Sequence, residues 1–162
     1  MKKVIAITGG VVAGYTILHQ YVANNLRTKG FALARMYADQ TGKLLLVIGN
    51  PNGKHSCGDV TLDLKPAGKC PLEVEGDIHN LNMFADDQFG AVFSSHVFEH
   101  LEDPATALSE CLRVAEYAVI VYPFQWSIGT ECLPQHNPKA LEWLWKQNPF
   151  GLLVFNRQGR IK

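Results

Sequence analysis

The chain has 162 residues, 47% of them apolar and 19% charged, with fifteen basic and fifteen acidic side chains balancing to a net charge of zero. That length supports one domain with a real core, and the composition excludes a disordered chain. Zero net charge removes the electrostatic footprint of a nucleic-acid binder, so no nucleic-acid partner is expected.

Met1-Lys2-Lys3 precedes a stretch without charged side chains from Val4 to Leu26, strongly apolar to Leu18 and then diluted by His19, Gln20, Asn24 and Asn25. A membrane span needs about 20 mostly apolar residues, and lysines before such a run mark its cytoplasmic side. Gly10 and Gly14 add a Gly-x-x-x-Gly pair, which lets helices approach closely in lipid. Residues 1–26 are therefore expected to form an apolar helix acting as a membrane anchor, with residues 27–162 as the α/β domain on a reducing, intracellular side. The competing readings are a soluble core element, with a strand over Val4–Thr8 and a turn at Gly9-Gly10, which would leave the protein cytoplasmic, and a secretory signal. The latter lacks an Ala-x-Ala-like cleavage site.

From Tyr21 to Gln40 the pattern is helical, with Leu26, Phe31, Leu33, Ala34 and Met36 available for a buried face. Gly30 interrupts it at a cost of about 1 kcal/mol and predicts a break or kink, and Thr41-Gly42 closes the helix. Leu44–Ile48 is an uninterrupted apolar run of strand length that breaks into Gly49, Asn50, Pro51, Asn52 and Gly53. A buried strand running into a glycine turn is how an open α/β sheet offers backbone to a ligand.

Asp59–Leu64 alternates as a second strand, and Asp63 at its end has the chemistry ribose recognition needs, a carboxylate accepting from vicinal hydroxyls. Leu72–Asp77 reads as a short third strand and Phe89–Ser95 as a buried fourth. Asp103-Pro104 supplies an N-cap and first-turn proline for a helix whose face is Ala107, Leu108, Cys111, Leu112 and Ala115. Tyr117–Val121 is a fifth strand, Asn137-Pro138 opens a last helix through Trp143 and Trp145, and Gly151–Asn156 is a final strand. Strands alternating with helices imply a parallel sheet covered on both faces.

Cys57, Cys70, Cys111 and Cys132 are scattered, which predicts reduced thiols rather than a disulfide scaffold. His55, Cys57, Cys70 and His79 have no zinc-site spacing, so no metal is expected.

Lys43 to Phe124 resembles the class I S-adenosylmethionine-dependent methyltransferases, of the small methyltransferase-domain type. The likeness is carried by residues 44–53, 59–64, 75–81 and 89–104, and most specifically by Glu99-His100-Leu101 ahead of Asp103-Pro104. The resemblance implies a Rossmann-like, mostly parallel sheet with helices on both faces that ends in an antiparallel strand pair. Only one of that pair is easily found in this sequence, so a sheet trimmed to six strands is expected. The resemblance also implies S-adenosylmethionine as cofactor, with Gly49, Asn50 and Gly53 in the cofactor turn, Asp63 on the ribose, Asp77 and Ile78 at the adenine, and Ser95 and His96 facing the sulfonium and acceptor. Two departures stand out. Val47 replaces an acidic residue, and Pro51 replaces a middle glycine and removes a backbone donor.

Methyl transfer needs alignment and sometimes a base. His96 and His136 are the candidate bases, ahead of His100. The expected function is methyl transfer to a small molecule or lipid. The alternative is a non-catalytic, methyltransferase-like assembly subunit with protein partners.

Overall fold

The computed structural model describes residues 2–51, 56–127 and 133–161, and side chains from Tyr15 onward. Helix α1 runs without interruption from Lys2 to Thr41. Seven strands follow: β1 (Leu44–Ile48), β2 (Val60–Asp63), β3 (Glu73–Glu75), β4 (Phe89–Ser95), β5 (Ala115–Val121), β6 (Leu152–Asn156) and β7 (Gly159–Arg160). Helix α2 (Pro104–Val114) precedes β5, and α3 (Pro138–Gln147) precedes β6. The strand order is β3-β2-β1-β4-β5-β6-β7, parallel from β3 through β5 and antiparallel at β6 and β7. Chain order reverses between β1 and β4, so the topological switch point lies at their carboxyl ends.

The central strands form because both of their faces are buried. Successive side chains of β1, β4 and β5 point to opposite faces. Leu45, Val47, Ala91, Phe93, Val119 and Val121 pack beneath α1. Leu46, Ile48, Val92, Ala118 and Ile120 join the opposite core, which also holds Ala107 and Cys111 of α2 and Leu144 of α3. The caps form as their side chains predict. Asp103 Oδ1 accepts from the N–H groups of Ala105 and Thr106 at 3.1 and 3.0 Å, and Asn137 Oδ1 accepts from that of Lys139 at 3.0 Å. The connections from β1 to β4 carry no helix among the described residues.

Three expectations are corrected, and a fourth finds no support. Gly30 does not break α1, which runs through it as continuous helix. A Cβ there would lie 2.6 Å from Val121 Cγ2 and 3.2 Å from Phe93 Cε2, so glycine lets the helix seat on the sheet. The strand pair at the C-terminus is complete rather than trimmed to six strands, because the two-residue β7 pairs with β6.

The anchor expected over residues 1–26, and the membrane association it implied, find no support, and the side chains of residues 1–14 lie outside the described residues. Among the described residues no helix is long and apolar enough to cross a membrane. From Ala23 onward α1 buries its small residues on the sheet, with Ala34 and Ala38 fully enclosed, Phe31 edge-on to Phe93 and Tyr37 stacked on Tyr117 at 4.1 Å.

The third correction is redox. Cys57 and Cys70 form a disulfide with Cα atoms 5.6 Å apart, in place of the expected free thiols. Thr61 pairs with Glu73 in the parallel β2–β3 register, which brings the two segments that enter these strands side by side. That bond lies at the amino ends of the strands, opposite the switch point. Cys111 is a buried free thiol that burial pushes up to about 12.

Candidate functional site

A cavity of about 490 Å³ opens at the carboxyl ends of β1, β2 and β3, closed on its far side by Val97, His100 and Leu101. Gly49 enters it at a φ of +93°, and a Cβ there would lie 2.9 Å from Val97 Cγ2. Glycine is therefore required both by the backbone conformation and by the close approach. Gly49 N–H donates to Leu62 O at 2.8 Å, tying the turn to β2.

Asp63 stands at the end of β2. Its Oδ2 accepts from Asn50 N–H at 2.9 Å and its Oδ1 from Lys65 N–H at 2.8 Å. Two backbone donors thus fix the carboxylate, and each oxygen keeps a further lone pair. Asp77 follows β3, and its Oδ1 accepts from the backbone N–H of His79 at 2.9 Å and meets the His79 ring at 2.7 Å. These contacts, the backbone one foremost, hold its carboxyl below the usual range.

Of the residues expected to bind cofactor, Gly49, Asp63, Asp77 and Ile78 all line this one cavity. Asn50 joins it through its bond to Asp63. Gly53 lies outside the described residues. Ser95 ends β4 without lining the cavity, and its Oγ is buried with no hydrogen-bond partner.

The donor set says what the cavity can hold. Asp63, Asp77, Glu102 and Asp103 line it, and no lysine or arginine does among the described residues. Such a wall suits hydroxyl, amino or cationic groups and opposes phosphates. Two buried atoms beside it, Asn50 Oδ1 and His79 Nε2, have no hydrogen-bond partner. Buried polar groups of this kind are normally satisfied, and a bound ligand would satisfy these. An adenosyl group fits these residues.

The methionine end of the cofactor finds less. Val47, where the family carries an acid, is fully buried beneath α1. Asn50 N–H is spent on Asp63, and Pro51 has no N–H to offer.

A second recess of about 190 Å³ lies across the carboxyl ends of β4 and β5, roofed by α1. His96 and His136, the two expected bases, both line it, together with His19, Arg27 and Ser127. His96 has a φ of +57°, a left-handed conformation that a non-glycine residue adopts at a cost of about 1–3 kcal/mol and that clusters at functional sites. His96 Nδ1 lies 2.9 Å from Oε1 of Glu99, whose side chain is completely buried.

Arg27 projects from α1 into the recess. Burial lowers the pKa of its guanidinium, and the field of Glu99 opposes that shift. The loop over 124–127 is tied to α1 by the contact of His19 Nε2 with Ser127 Oγ and by the hydrogen bond from the Tyr15 hydroxyl to Trp126 O. Sequence reasoning missed His19, Arg27 and Ser127, because only the long-range packing of α1 brings them here. Glu99 was legible as part of a motif but not as the partner of His96.

Residues 13–118, well over half of the chain, match the family described as a methyltransferase domain. The chain belongs to the class I S-adenosylmethionine-dependent methyltransferases. Among solved structures, a methyltransferase of this family from Archaeoglobus fulgidus is similar at 20% identity and a TM-score of 0.54, over 82% of this chain and 72% of that one. A second, from Thermotoga maritima, is similar at 15% identity and a TM-score of 0.47, over 80% of this chain and 75% of that one. At such identities the likeness concerns the fold. A comparison with curated proteins finds no match. In this methyltransferase fold the acidic cavity opens beside the switch point of the sheet, with the recess next to it.

Proposed function

We propose that this methyltransferase domain binds S-adenosylmethionine in the acidic cavity and transfers its methyl group to a small molecule held in the adjoining recess. The observation that carries this reading is the convergence of Gly49, Asp63 and Asp77 from three neighbouring strand ends on one cavity free of basic side chains among the described residues. Asp63 would take the ribose hydroxyls on its remaining lone pairs, and Asp77 the exocyclic amine of adenine. The cofactor, when bound, supplies an electrophilic methyl on a sulfonium.

His96 serves as the base. Its Nδ1 faces a carboxylate oxygen, which accepts, so Nδ1 carries the proton and Nε2 keeps its lone pair. Glu99 orients the ring and stabilises the imidazolium formed when an acceptor proton is taken, as carboxylates do for histidine bases elsewhere. At about 190 Å³ the recess suits an acceptor smaller than a drug-sized ligand.

Incubation of the full chain with methyl-labelled S-adenosylmethionine and a panel of small amines, alcohols and thiols tests the reading. Label should pass to at least one acceptor class in the wild type and not in a His96→Asn variant. A second reading, a non-catalytic assembly subunit, draws on Val47 and Pro51, which strip the turn of its acid and of a donor. It predicts no label transfer and no cofactor binding.

A further inference from the structure

Between the cavity and the recess, Glu99, which also orients His96, stands close to two further histidines. A carboxylate oxygen of Glu99 and one ring nitrogen each of His100 and His136 lie within 4.8 Å of one another. His100 also lines the cavity, and His136 the recess. We propose that these three residues form a binding site for a divalent transition cation of the zinc type, which clamps the segment after β5 onto the 3-10 turn Phe98–His100.

Three observations converge. The first is Glu99 itself. Its side chain is completely buried, Oε1 meets His96, and Oε2 is buried with no hydrogen-bond partner. A carboxylate oxygen buried out of water with no partner is costly, and a cation is a partner that removes the cost.

The second is the tautomer of His100. Its Nδ1 lies 2.8 Å from Gln135 O. A carbonyl only accepts, so Nδ1 carries the proton, and the lone pair sits on Nε2. A ring fixed by an outer hydrogen bond to a backbone carbonyl is the usual arrangement of a metal-binding histidine.

The third is that the scaffold is already assembled. Asn137 N–H donates to Glu99 O at 2.7 Å, and Asn137 Nδ2 donates to Leu101 O at 2.8 Å. Two ligands on the 3-10 turn and the third just before Asn137 are thus held together without the ion.

The chemistry of the donors narrows the ion. Two imidazoles and a carboxylate are the ligand set of three-residue zinc sites, which leave a fourth position for water or substrate, whereas magnesium and calcium take oxygen ligands. At zinc–ligand distances near 2.1 Å, donors stand on the order of 3.4 Å apart. The three would close by about an ångström, and His100, at the surface, has room to move. Arg27 attracts Glu99 from across the recess but makes no hydrogen bond to Oε2. It is the competing counter-ion.

The test uses the full chain, stripped of metal by a chelator and titrated with zinc chloride alone in competition with a chromophoric chelator. One equivalent should bind, and His100→Gln and His136→Gln should each weaken binding at least tenfold while the circular dichroism stays unchanged. Cobalt substitution should give weak visible bands without the intense thiolate-to-cobalt absorption in the near ultraviolet, which separates this site from any cysteine site. Glu99→Gln, which keeps the shape and removes the charge, should weaken zinc as well. Absence of stoichiometric binding by the folded wild type, or zinc affinity indifferent to His100 and His136, overturns the proposal and leaves Arg27 as the counter-ion of Glu99. No readout here involves S-adenosylmethionine, so the cofactor reading and the metal site fail independently.

Discussion

His96 Nδ1 rests 2.9 Å from a carboxylate oxygen of Glu99, three residues on, with the histidine backbone left-handed and the glutamate entirely enclosed. The strained backbone aims the ring, and the buried carboxylate fixes which nitrogen holds the proton. Replacement by asparagine removes the proposed base and leaves the lining of the acidic cavity unchanged. His96→Asn should lower kcat for an acceptor found by label transfer by about 10²–10⁴-fold. The dissociation constant for S-adenosylmethionine should stay within about twofold, a difference of only a few tenths of a kcal/mol. An unchanged kcat would remove His96 from the chemistry.

Acid should destabilise the fold through identifiable carboxylates. Burial alone would raise the Asp59 carboxyl, but the hydrogen bonds from Arg35 and Leu45 N–H, at 2.7 Å each, outweigh it and leave the group below its usual range. Glu110 is lowered chiefly by its bonds from Arg113, with a further one from Leu81 N–H. Because the folded-state values lie below the unfolded ones, the stability they contribute is fully present above about pH 4–5 and drains away as pH falls through the folded values. Urea midpoints should fall between pH 5 and about pH 3, and Asp59→Asn should flatten that fall. A slope that the variant leaves unaltered would show that Asp59 is not among the groups responsible.

The Cys57–Cys70 bond closes a loop with a sequence separation of 13. Loops of that size contribute about 3 kcal/mol in the chain-entropy view. Alkylation of the native chain should spare these two thiols until a reductant is added, and reduction should lower the Tm. Because the bond lies at the amino ends of β2 and β3, reduction should leave cofactor affinity nearly unchanged while the chain stays folded. Labelling of Cys57 in the untreated protein would refute the disulfide.

The sequence was most legible where structure is locally determined. β1 and β4 run as uninterrupted apolar stretches because both faces of each are covered, and their observed limits match that pattern. Asp103-Pro104 and Asn137-Pro138 are readable because an N-cap is an exchange between a side chain and N–H groups two or three residues on.

What escaped was set by distant contacts. Gly30 looks like a break until Val121 and Phe93 are seen beneath it. The apolar N-terminal run reads as an anchor from hydropathy and flanking charge, and its side chains before Tyr15 lie outside the described residues. Cys57 and Cys70 became neighbours only through the register of two parallel strands. In the cofactor cavity the motif indicated Gly49, Asp63, Asp77 and Ile78, each at a strand end. The recess depends on α1 folding over β4 and β5, which no motif records.

The central claim is that the acidic cavity is a cofactor site, and calorimetric titration of the full chain with S-adenosylmethionine tests it most directly. The account predicts saturable binding of roughly micromolar strength, about 8 kcal/mol, that Asp63→Ala weakens severely while the chain remains folded. A well-folded wild-type protein that gives no binding heat at several temperatures would contradict it. Val47 and Pro51 would then stand as the marks of a methyltransferase fold that has given up its cofactor.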